Sequence, residues 1–256
     1  MIKRKINGFT LTEALVAIVI GMISVAAIFF SYQTFNKAFI SVEAKSQMNS
    51  NARDALSQMT RELRNTCRVD INWVGHTNPL LTESQCLSKF ISPRGASKYA
   101  AGASYLIIFY DNSPNNRVRV DYGLKKYKNS NDTYLARTYM VMNCIDPNNC
   151  SFDSPRGVRN VDQIFINNVE DFQVVLKDNQ GVEVTNVNSL AGKPGIQNQL
   201  KVKTIEIYLT VRSRNKVYKS KKTWKIKNED REYTVSDQYH RDTYFVSVYP
   251  RNIVKN

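Results

Sequence analysis

Apolar and polar positions fall into three successive regimes along this chain, each with its own period. A basic leader, Lys3-Arg4-Lys5, ends at Gly8, and from Ala14 to Asn36 no residue is charged, with Glu13 standing alone just before that window. Ala, Leu, Val, Ile and Phe fill it, interrupted by Gly21, Ser24 and a polar end. A membrane-spanning helix needs about 20 mostly apolar residues, so this window is long enough to cross a bilayer. Cations flanking a span favour the cytoplasm, which sends everything after about Tyr32 across the membrane.

In the second regime, residues 32–66, there is no Pro or Gly, and apolar side chains return at helical intervals: Phe35, Phe39 and Val42, then Ala52, Leu56, Met59 and Leu63. The helix is expected to continue as a stalk. Its later stripe should dock on a globular head and its earlier stripe should be buried by neighbouring helices. Residues 67–99, with Gly75, Pro79, Pro93 and Gly95, read as loops with a short helix.

The third regime has the period of strands. Segments 105–110, 117–122, 133–142, 163–167, 172–177, 204–211 and 218–227 are rich in β-branched or aromatic residues and bounded by turn residues, and a final strand leads to Pro250. Ile205, Ile207, Leu209 and Val211 alternate with Glu206, Tyr208, Thr210 and Arg212, the pattern of a half-buried strand. Residues 186–198 read as a long surface loop. The predicted class is α+β: one long N-terminal helix, half transmembrane and half stalk, packed on a mainly antiparallel sheet. The predicted parts are a leader over 1–8, a helix over 9–66 and a β-rich head over 67–256.

Glu13 needs a separate account, because a carboxylate within a membrane helix costs roughly 2.5 to 3.5 kcal/mol at the helix centre. Headgroup water, the positive end of its own helix, or a cation from another chain could satisfy it. Gly8-Phe9-Thr10-Leu11-Thr12-Glu13 followed by an apolar helix resembles the type IV prepilin motif shared by pilins, minor pilins and the pseudopilins of type II secretion. The resemblance implies cleavage between Gly8 and Phe9 by a prepilin peptidase, N-methylation of Phe9, and pairing of Glu13 with the terminal amine of a neighbouring subunit. Thr12 stands where the family usually has an aliphatic residue. Two competitors are an ordinary secretory signal cut near Ser24-Val25-Ala26 and an uncleaved signal anchor; neither accounts for Gly8-Phe9 or Glu13.

Shorter likenesses point within that family. Val169-Glu170-Asp171-Phe172, the 205–214 segment and the final strand are similar to PilW-type minor pilins, relatives of the J-type minor pseudopilin. They imply a low-copy subunit that initiates or caps assembly near a filament tip, with other minor and major pilins as partners.

Composition adjusts this picture in two places. Mean hydropathy is −0.41 and 23% of residues are charged, which fits a folded body on one membrane helix. Four cysteines, Cys67, Cys86, Cys144 and Cys150, would lie in an oxidising compartment, where disulfides are the default. Three pairings are possible; Cys67 with Cys86 and Cys144 with Cys150 each close a short local loop. A zinc site is the weaker rival, since no C-x-x-C or clustered His accompanies these thiols.

Lys and Arg number 36 against 22 Asp and Glu. Arg212, Arg214, Lys216, Lys219, Lys221, Lys222, Lys225 and Lys227 cluster around Tyr218 and Trp224, a candidate phosphate-tracking surface for DNA. A solvated sheet face or a guarded edge strand is the stronger reading, with Lys219, Lys221, Lys225 and Lys227 on one face by strand parity.

No catalytic, cofactor or metal motif emerges. His76 and His240 fall in no metal spacing, and Ala191-Gly192-Lys193 lacks the rest of a P-loop. Asp111-Asn112-Ser113 and Asp178-Asn179-Gln180-Gly181 read as turns, not as calcium loops. The expected molecule is therefore a non-enzymatic filament subunit stored in the inner membrane, with its head in the periplasm. The alternative is a signal-anchored binding protein or adhesin that does not polymerise.

Overall fold

The computed structural model describes residues 10–65, 91–92, 105–113, 116–130, 132–146, 149–151, 159–184, 202–228 and 231–250. One helix, α1, runs from Leu11 to Asn65. Eleven strands follow among the described residues: β1 (Ile91–Ser92), β2 (Tyr105–Ser113), β3 (Asn116–Lys126), β4 (Thr133–Asp146), β5 (Asn149–Ser151), β6 (Arg159–Asn167), β7 (Val169–Lys177), β8 (Thr204–Arg212), β9 (Lys222–Asn228), β10 (Arg231–Asp237) and β11 (Arg241–Val248). Two compact units divide the chain between Ser46 and Gln47.

In the first unit the helix exposes its large apolar side chains, Leu15, Ile18, Ile23 and Phe29 among them. It is the one described helix long and apolar enough to cross a membrane. Ser24 Oγ donates to the carbonyl of Ile20 at 2.9 Å and Thr34 Oγ1 to that of Phe30 at 2.9 Å. Polar groups in such a segment must be satisfied internally, and these two hydroxyls are.

The second unit contains the last turns of α1 and the sheets. β1-β2-β3-β4 pair in that order, and the other edge of β4 is divided between β5 and β6. β11-β8-β7 form a three-stranded sheet and β9-β10 a separate hairpin. Every pairing between these strands is antiparallel.

Strand parity builds the core. Leu106 and Ile108 of β2, Val118, Val120, Tyr122 and Leu124 of β3, and Leu135 of β4 are buried, as are Ile205, Ile207, Leu209 and Val211 of β8. Ala52, Leu56, Met59 and Leu63 of α1 join the same core, so the predicted docking stripe is seated. Asn168 alone links β6 to β7 with φ at 57°, a left-handed conformation that Asn tolerates better than most residues. Its carbonyl accepts the Arg212 N–H at 2.8 Å.

Two buried charge networks fasten these layers. Glu62 of α1 accepts from Tyr122 Oη at 2.6 Å and from Arg137 Nη2 at 2.7 Å. Arg241, 3% exposed, donates to Glu170 through Nε at 2.5 Å and Nη2 at 2.7 Å, and to Asp237 through Nη1 at 2.6 Å and Nη2 at 2.5 Å. The Tyr244 hydroxyl of β11 donates to Asn49 Oδ1, holding α1 at a second level.

Some expectations shift. The predicted strand over 218–227 begins only at Lys222, because the Val217 and Tyr218 N–H groups are both used by the Gln238 carbonyl. Asp111-Asn112-Ser113 ends β2 instead of making a turn. Asp178 does head a turn, its Oδ1 accepting from the Gln180 and Val182 N–H groups, with Gly181 at φ 80°. The predicted loop over 186–198 and most of 67–99 lie outside the described residues.

Candidate processing and assembly site

The sequence places the chemistry of interest at the start of α1. Gly8 and Phe9 lie outside the described residues, which begin at Thr10. Thr10 is the N-cap of α1: its Oγ1 accepts the Glu13 N–H at 3.3 Å, and its carbonyl accepts the Ala14 N–H at 3.2 Å. Glu13 answers with Oε2, which accepts the Thr10 N–H at 3.0 Å and the Thr10 hydroxyl at 2.9 Å. This is a reciprocal capping box, which satisfies two otherwise orphaned donors of a helix N-terminus.

Of the partners considered for Glu13, its own helix end is the one realised within a single chain. Thr10-Leu11-Thr12-Glu13 carries the T-x-x-E signature of such a cap. Beyond the cap, an added methyl group at Gly21 would meet nothing within 4 Å. The helix thus offers an apolar surface that the unit itself does not cover. Surfaces of this kind mark membrane or protein contacts.

The basic segment divides into two groups. Arg212 belongs to the fold: its side chain is 16% exposed, Nη2 reaches Asp132 Oδ1 at 2.7 Å, and its guanidinium lies 4.2 Å from the Tyr239 ring centre. Its partner Asp132 is held below the usual carboxylate range, first by that hydrogen bond and then by one involving Ser130. Arg214, Lys216, Lys219, Lys221, Lys222, Lys225 and Lys227 are exposed.

Because β9 begins at Lys222, strand parity relates only Lys225 to Lys227, and Lys219 and Lys221 precede the strand. Lys227 stands opposite Glu232, and Lys222 opposite Asp237. The two aromatic residues are committed elsewhere. Tyr218 donates to or accepts from His240 Nδ1 at 2.8 Å and is covered by Lys222 Nζ at 4.0 Å, while Trp224 packs edge-on against His240. The two rings also lie 5.9 Å apart, centre to centre.

Cys67 and Cys86 lie outside the described residues; Cys144 and Cys150 are register partners across β4 and β5. Among the described residues no group of three or more His, Cys, Asp or Glu is placed to hold a metal ion.

No curated protein and no solved structure matches the chain. Residues 3–29 match the family model for the prokaryotic N-terminal methylation motif, which spans the basic leader, Gly8-Phe9, Glu13 and most of the apolar window, and this match supports a type IV prepilin-like protein.

Proposed function

We propose that this chain is a minor pilin or pseudopilin: a subunit stored in the inner membrane, cut between Gly8 and Phe9 by a prepilin peptidase, N-methylated on Phe9, and then incorporated into a type IV pilus or a type II secretion pseudopilus. The observation that carries this reading is the methylation motif over residues 3–29, placed on a helix whose apolar surface its own unit leaves uncovered. A head that folds around the far end of the same helix supports it, since such a subunit needs an assembly helix and a separate folded body. Glu13 supplies a carboxylate at the level where a neighbour's Phe9 ammonium would arrive, so two membrane charges meet instead of each facing lipid. The low-copy, tip-proximal role follows from the PilW-type and J-type likenesses, and the periplasmic position of the head from the cationic leader.

Mass spectrometry of the intact protein isolated from membranes tests the processing step. The expected species lacks residues 1–8 and begins with N-methylphenylalanine; a chain beginning at Met1, or beyond the apolar window, overturns the proposal. For assembly, Glu13→Leu should reach the membrane at the normal level yet fail to enter sheared filaments. Incorporation equal to wild type would remove the pairing role while leaving the processing role standing.

A further inference from the structure

Five residues separate Cys144 from Cys150, and the fold places the two in register: Cys144 pairs with Cys150, and Asp146 with Asn149, across β4 and β5. Residues directly opposite in an antiparallel pair have Cα atoms about 4.5–5.5 Å apart, and a disulfide spans Cα separations of about 4.4–6.8 Å. The backbone therefore brings the two cysteines within bridging range with no rearrangement. β5 itself has three residues, too few to hold a register by pairing alone. The pairing also contains a one-residue irregularity between Cys144 and Asp146.

We propose that Cys144 and Cys150 form a structural cross-strand disulfide that pins β5 over the end of β4. β4 is the strand whose outer edge is shared between β5 and β6. The bond forms by thiol–disulfide exchange with a disulfide-bearing oxidant. One cysteine thiolate attacks the oxidant's disulfide and expels one of its sulfurs as a thiolate. The second cysteine thiolate then attacks the mixed disulfide, leaving the Cys144–Cys150 bond and the oxidant as a dithiol. Two electrons pass to the oxidant, and the two thiol protons are released and taken up by its two sulfurs. This inference does not depend on the filament reading, only on delivery of the head to an oxidising compartment.

The test isolates the full chain from membranes in the presence of an alkylating agent and digests it with trypsin, which leaves both cysteines in the peptide 138–156. The expected peptide is unalkylated, lighter by two hydrogens than its reduced form, and takes two labels after reduction. Two labels before reduction, or a link to a peptide carrying Cys67 or Cys86, overturns the pairing. Cys144→Ser should expose one new thiol, at Cys150, and leave the labelling of Cys67 and Cys86 unchanged; a new thiol at either of those positions overturns it as well.

Discussion

Replacing Arg241 with leucine should lower the stability of the head by about 3–5 kcal/mol, a fall in melting temperature of roughly 10 °C for a body of this size. The reason is what the substitution leaves behind. Arg241 is 3% exposed and donates four hydrogen bonds, two to Glu170 and two to Asp237. Burial opposes the charge on its guanidinium, but the hydrogen bonds and charges of Asp237 and Glu170 outweigh that and hold its pKa above the ordinary arginine value. Removing the cation leaves two carboxylates with Arg212, 3.8 Å from Glu170, as a described cation beside them. Lysine at 241 keeps the charge but not the fork that serves two acids at once, so it should recover only part of the loss.

The same network sets an acid limit. The Arg241 hydrogen bond, aided by the Tyr239 N–H, holds Asp237 below the usual carboxylate range against the opposing effect of burial. A depressed carboxylate stabilises the fold above its unfolded pKa, and that contribution is lost as pH falls through the folded value. Wild type should therefore lose stability as pH drops below about 4, and Arg241→Leu should show a flatter acid limb. Thermal unfolding of the full chain in detergent from pH 7 to pH 3 measures both. A variant melting within about 2 °C of wild type would show that Arg241 is dispensable.

Breaking the triad of Glu62, Tyr122 and Arg137 should have the next largest effect. Glu62 lies on α1 and the other two on neighbouring strands, so their hydrogen bonds run between helix and sheet. Arg137→Met should cost about 3 kcal/mol, because it leaves Glu62 buried without its cation. Replacing all three, as Glu62→Leu, Tyr122→Phe and Arg137→Met, should recover most of that loss, since a well-packed apolar substitute avoids the desolvation of a buried pair. A triple variant as unstable as the sum of the single ones would mean that no coupling exists.

Burial, followed by the charge of Glu62, pushes the Tyr122 hydroxyl far above its ordinary range and that of Tyr110 up to about 12. Both therefore keep their protons in the fold after they would ionise in the unfolded chain. Stability is complete below the unfolded tyrosine pKa and declines as pH rises above about 10. Tyr122→Phe should blunt that alkaline decline.

Local patterns were legible from the sequence where a single period dominated. The alternation at 205–211 predicted the buried face of β8, and the spacing of Ala52, Leu56, Met59 and Leu63 predicted the docked stripe of α1. β10 was not predicted because Arg231-Glu232-Tyr233-Thr234-Val235-Ser236-Asp237 has few apolar residues and is defined by its pairing with β9. Long-range ion pairs leave no local trace. Nothing near Arg212 distinguishes it from the exposed cations that follow it, yet its carboxylate partner Asp132 is 80 residues away. The same applies to Glu62 and Arg137, which are 75 residues apart. At the amino terminus the position of Glu13 is legible as an acid beside an apolar window, whereas its use in the cap depends on where the helix starts, at Thr10.

Both capping bonds to Glu13 end on a single oxygen, Oε2. An arriving ammonium can therefore bind through Oε1 while the first turn stays wound. In the proposed filament, exchange of lipid for neighbouring helices would then be a transfer between two solvents of a helix whose tip is already wound.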